Sequence, residues 1–184
     1  MKNKTNILIA KTKHLSLYKT EQGFYYCQRR TINSVAILCF QKINNQYRFL
    51  IRYQPLPEIA EKTKWDDLYA CPITGSIEKE QTALKCVINE IREEGGIIVD
   101  KSNLLQFREN IATTQMNEKV FYFLADTTNC KQETPQNDGT KFEAVSQNVW
   151  VDQKMIEHIL DNQIHLASLS ICYYHFLKTI IKKV

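Results

Sequence analysis

Several things are scarce in this chain. No apolar run approaches the roughly 20 residues that a membrane-spanning helix needs, and the short apolar stretch at residues 7–10 is too brief for the core of a signal peptide. A cytoplasmic location is expected on that basis. Charge of one sign is scarce as well. The net charge is +4 with no basic block, which argues against a dedicated nucleic-acid-binding arm and suits a phosphorylated small molecule or a plain solvated surface equally. With only 5 glycines and 4 prolines there is no flexible linker, and no internal repeat is visible. Residues 1–184 therefore read as a single domain, large enough to bury a core unaided.

Cysteine is present but not patterned. None of Cys27, Cys39, Cys71, Cys86, Cys130 and Cys172 forms a C-x-x-C pair, and the four histidines show no zinc-ligand spacing near them. Most sit in apolar runs such as Ala36-Ile37-Leu38-Cys39-Phe40, where a thiol packs as a small hydrophobe. Reduced, structural cysteines are expected.

Strand patterns dominate what is there. Residues 15–18 and 24–27 flank a turn at Gln22-Gly23 and read as an antiparallel hairpin. Residues 34–40 and 47–53 read as two strong strands joined by a polar turn, and residues 68–71 as a short strand. Further strands are expected over residues 119–125 and 144–151, and helices over 154–159 and 166–181. The clearest helix covers residues 82–94, because Leu84, Val87, Ile88 and Ile91 fall at i, i+3, i+4 and i+7, and Gly95-Gly96 follows as a stop. The class is α/β (α+β), with a mixed sheet between helices.

That helix carries the chemistry. At about 100° per residue, Glu90, Glu93 and Glu94 share one arc, roughly 120° around from the centre of the apolar stripe. Like charges at this spacing repel, and the last turn of a helix disfavours anions. A solvated acidic face is the plain reading. A bound divalent cation, which takes oxygen ligands, would turn the repulsion into attraction.

The surrounding spacing separates these readings. The segment Gly75-x₅-Gln81-x₇-Asn89-Glu90-Ile91-x-Glu93-Glu94-x-Gly96-Ile97 resembles the Nudix box, G-x₅-E-x₇-R-E-U-x-E-E-x-G-U with U apolar, at seven of nine specified positions. The resemblance implies hydrolysis of a nucleoside diphosphate linked to a second group. It also implies Mg²⁺ or Mn²⁺ held by Glu90, Glu93 and Glu94, with the carbonyl of Thr74 as a further ligand. The departures are Gln81, where the family has glutamate, and Asn89, where it has an arginine that braces a carboxylate.

Outside the box the chain is similar to the ADP-ribose and nucleotide-sugar pyrophosphatase branch. The segment Phe49-Leu-Ile-Arg52-Tyr53-Gln54-Pro55 echoes its Arg-Gln-Tyr-Arg-Pro strand end, and Asn117-Glu118-Lys119 opens a matching later strand. The likeness implies a homodimer helped by residues 14–30 and a general base in a late loop, with Asp138 and Glu143 as the candidates and Glu118 a third. The catalytic set is thus Glu93, Glu94, Glu143 and Asp138. Arg52 and Glu118 are the expected substrate contacts, Arg52 because a guanidinium grips two phosphate oxygens. Trp65, Tyr53 and Tyr69 are candidates for stacking on a base. Two other readings stay open: a Nudix-fold module that binds a nucleotide without cleaving it, and a house-cleaning nucleoside triphosphate pyrophosphatase.

Overall fold

The computed structural model describes residues 6–107, 109–136 and 139–182. Its centre is β4 (Ser34–Ile43), in which every residue from Val35 to Phe40 is buried. Such a run cannot lie at a surface, and β4 is covered on both faces, as continuous apolar strands require. Its odd residues Val35, Ile37 and Cys39 enter one core and its even residues Ala36, Leu38 and Phe40 the other. A tight turn at Asn44-Asn45, with φ of 49° and 61°, returns the chain as β5 (Gln46–Pro55). Asparagine tolerates these left-handed angles, which match the twist of a hairpin.

Three strands precede this pair: β1 (Ile7–Lys11), β2 (Leu15–Lys19) and β3 (Tyr25–Arg29). After β5 come β6 (Leu68–Cys71), β7 (Ile73–Ser76), helix α1 (Ala83–Glu93), and the short strands β8 (Leu104–Gln106) and β9 (Asn110–Thr113). The long β10 (Met116–Asp126) follows, then α2 (Lys141–Val145), β11 (Gln147–Asp152), α3 (Gln153–Asn162) and α4 (Ala167–Phe176). A π-helical turn, Leu177–Ile181, closes the described chain. The main sheet runs β1-β2-β3-β10-β4-β5-β11, with β10 parallel to both β3 and β4. Strands β6 and β7 extend the far ends of β5 and β4.

The mixed sheet between helices is as expected, with four differences of detail. The run at residues 7–10 forms β1, which pairs with β2 and extends the hairpin to three strands. Strands β7, β8 and β9 had no sequence signal, being three or four residues long. The start of the strand expected at 144 is instead the end of α2, because Thr140 caps the amide of Glu143 and begins a helical turn. The helix expected over 166–181 leaves α-geometry at Leu177. Among the described residues no helix is long and apolar enough to cross a membrane, and all six cysteines are free.

Candidate functional site

Helix α1 starts where Thr82 accepts a bond from the amide of Lys85 at 3.2 Å. It stops at Gly96, whose φ of +65° suits glycine, and a β-carbon there would overlap the carbonyl oxygen of Glu133. Its fully buried residues are Cys86, Val87 and Ile91, whereas Leu84 and Ile88 are only half buried. This shifts the buried face from the expected one. Measured from Cys86 at about 100° per residue, Glu90 and Glu94 fall about 40° and 80° around, between Cys86 and Ile91 rather than beside them. Two of the box carboxylates are therefore pressed toward the sheet.

Gly75 makes this possible. It lies in β7 opposite Val35, on the side of the sheet that α1 covers, and a β-carbon on it would overlap Oε1, Cδ and Cγ of Glu90. The Glu90 side chain occupies the space that any other residue at position 75 would fill. Burial, then the charges of Glu94, Glu93 and Glu143, push Glu90 up to about 8. The neighbouring Cys86 thiol, pushed up to about 12 mainly by burial, is a neutral neighbour 3.9 Å from Glu90 Oε1.

Glu94 is held from below. Arg52 in β5 is 2% exposed, and its Nε lies 3.4 Å from Glu94 Oε1. The amide of Thr74 donates to Glu94 Oε2 at 3.4 Å. The backbone carbonyl of Glu94 accepts bonds from Asn148 Nδ2 at 2.6 Å and Arg52 Nη1 at 3.4 Å. Arg52 and Asn148 are register partners across β5 and β11, so two neighbouring strands grip one helix end. Sequence reasoning passed over Asn148. Its only signal is that residue 148 shares strand parity with Trp150, which packs on the α1 side.

The other candidates divide. Glu93 is exposed in the last turn of α1. Glu143 on α2 is close enough to raise Glu90 by charge. Beside it in sequence, Phe142 meets Trp65 edge-on at 6.2 Å between ring centroids, and both rings are about half exposed. Asp138 lies outside the described residues. Glu118 does not join the carboxylates: it bonds Arg29 Nη2 and, at 2.6 Å, Ser34 Oγ. Ser34 pairs with Ser76 and has the strand parity of the face opposite α1. Gln81 turns its Oε1 onto the amide of Glu78 at 3.0 Å, closing the loop before the helix.

The donor set can be compared with a divalent ion. Carboxylate oxygens suit Mg²⁺ and Mn²⁺, and Glu90, which burial and then the charges of Glu94, Glu93 and Glu143 push up to about 8, sits among enough acids to attract one. In donor type and charge the residues fit. Among the described residues no three carboxylate, imidazole or thiol groups converge on a single point as arranged. Glu94 is drawn toward Arg52, and Glu90 toward the gap over Gly75.

The sequence profile of the NUDIX domain family matches residues 33–169, which takes in the box, β4, β5, β10 and α3. The chain belongs to the Nudix family. No curated protein matches it. Among solved structures, one described as an ADP compounds hydrolase superposes with a TM-score of 0.62 over 95% of this chain and 92% of that one, at 14% identity. At that identity the likeness speaks for the fold. The Nudix match begins at residue 33 and so leaves β1, β2 and β3 outside it.

Proposed function

We propose that the chain is a divalent-metal-dependent hydrolase of the pyrophosphate bond in nucleoside diphosphate derivatives, with ADP-ribose or a nucleotide sugar as substrate. The observation that carries this is Glu90. It is packed over Gly75 and held up to about 8 by burial and by three other glutamates. Acids that repel one another in the folded chain gain most from a cation.

Glu90, Glu93 and Glu94 would hold Mg²⁺ or Mn²⁺, with Thr74 adding its carbonyl. Such an ion neutralises pyrophosphate charge and acidifies a bound water. Glu143, or Asp138 ahead of it, would take the proton from the attacking water. The exposed pair Trp65 and Phe142, on the approach beside Glu143, offers a stacking surface to a base. A homodimer is part of the same reading, because all five residues of β1 are exposed at the outer edge of the sheet, Ile7, Leu8 and Ile9 among them. Sedimentation would read it.

The test is incubation of the purified chain with ADP-ribose, nucleotide sugars and nucleoside triphosphates, with Mg²⁺ or Mn²⁺. Release of AMP from ADP-ribose is expected, and absence of any product across the panel would overturn the reading. Cleavage confined to triphosphates would instead favour the house-cleaning activity. One observation favours a further alternative: Gln81, which replaces a carboxylate of the box, is used to close a loop. If the chain is a binding module, a nucleotide will raise its melting temperature with no product formed.

A further inference from the structure

We propose that Arg52 is the positioning residue for Glu94, doing from strand β5 what the neutral Asn89 does not do from the helix. The inference rests on the metal-dependent reading above and concerns this chain's own residues toward that ion.

The basic residues of α1, Lys85 and Arg92, are both exposed, and Asn89 lies about 140° around the helix from Glu94. Arg52 reaches that acid from beneath, with Nε 3.4 Å from Glu94 Oε1 and Nη1 3.4 Å from Glu94 O. The remaining partners are Gln54 Oε1 at 3.2 Å and Asn148 Oδ1 at 3.5 Å, both neutral. A guanidinium that is 2% exposed needs a counter-charge, and Glu94 is the acid with which it forms an ion pair. Its Nη2 is buried without a partner. An unfilled buried donor is costly, and a two-point grip on the Glu94 carboxylate through Nε and Nη2 is the arrangement that would fill it.

The side chain and the carbonyl of Glu94 are thus held by one residue, and Asn148 holds the carbonyl a second time at 2.6 Å. The orphan carbonyl at the helix end is satisfied, and a cation stands where the helix dipole favours one. The consequence is a carboxylate fixed relative to Gly75 by the sheet, not by its own helix. Partners of this kind, one step behind a metal ligand, set its orientation and its basicity.

Arg52→Gln and Arg52→Lys separate this role from the phosphate contact expected from sequence. Free Mn²⁺ is followed by its paramagnetic resonance during titration of the full chain, and kcat and KM are measured with ADP-ribose. Arg52→Gln should weaken Mn²⁺ binding by about ten- to a hundredfold and lower kcat with KM unchanged. Arg52→Lys, which keeps the charge but not the fork, should retain part of both. A raised KM with Mn²⁺ affinity intact would make Arg52 a phosphate contact and overturn the proposal. So would loss of fold in both variants, read by circular dichroism, since the role would then be structural. If the unaltered chain binds Mn²⁺ but cleaves nothing, while Arg52→Gln still loses Mn²⁺, the hydrolase reading fails and this one stands.

Discussion

The two faces of the sheet are built on opposite terms. Against α3 and α4 the core is aromatic and uncharged, with Phe176 at its centre meeting Phe49 at 4.7 Å, Tyr47 at 5.0 Å and Phe40 at 5.1 Å, all near edge-on. Against α1 the core is mostly aliphatic around Phe123, and it is interrupted by an acid over a glycine, an ion pair and a thiol. Edge-to-face rings and full burial stabilise the first face. The second holds like charges together in a partly buried place, which opposes folding. One face supports the other. The proposed site occupies the side that carries the electrostatic cost.

Substitutions on the two faces should therefore part company, and the largest effect belongs to the aromatic one. Phe176→Ala should lower stability by about 3–5 kcal/mol while leaving Mn²⁺ affinity of the folded protein unchanged, which denaturant melts and metal titration would read together. Lost metal affinity in that variant would show the faces to be coupled. Gly75→Ala should cost about 1–3 kcal/mol from overpacking and, unlike the first, should also weaken Mn²⁺ binding, because its methyl group takes the space of Glu90.

A smaller effect comes from Glu90 itself, and it depends on pH. In chelated protein its value of about 8 lies above the ordinary 4.5, so the folded chain holds this proton more tightly than the unfolded chain. Stability is then kept below the lower value and lost as pH rises through the upper one. Glu90→Gln should flatten that decline, a change visible in melts at about pH 5 and about pH 9. An unchanged slope would remove the electrostatic difference between the faces. The smallest effect on stability is expected from Glu93→Gln, within about 0.5 kcal/mol because the side chain is exposed, yet turnover of ADP-ribose should still fall. Full activity in this variant would take Glu93 out of the metal set.

The legible part of the fold was the part written locally. Strand β4 was visible because six consecutive residues are apolar, and α1 because its apolar spacing and Gly95-Gly96 lie within one segment. Strand β7 was not, since it is four residues long with Gly75, a poor strand former, inside it, and it pairs because β4 offers its edge. The site divides in the same way. In the proposed site, Glu90, Glu93 and Glu94 were named from spacing on one helix, and Glu143 from the likeness to a branch with its base in a late loop. The inward tilt of Glu90 and Glu94 could not be read there, because it depends on an empty space over Gly75 contributed by another element. Nor could the partner of Arg52. Its strand parity with Leu50 places it on the α1 side, but which acid it meets is decided by how β5, β11 and the helix end come together. Glu118 illustrates the converse: its motif matched, and its actual partners, Arg29 and Ser34, come from strands far away in sequence.

Thermal melting of the chelated chain at about pH 8, repeated with Mn²⁺ added, tests the acidic cluster most directly. The unaltered protein should gain melting temperature with rising Mn²⁺, and Glu90→Gln should gain little or nothing. No gain in the unaltered protein, or the same gain in both, would contradict a divalent-cation site at Gly75.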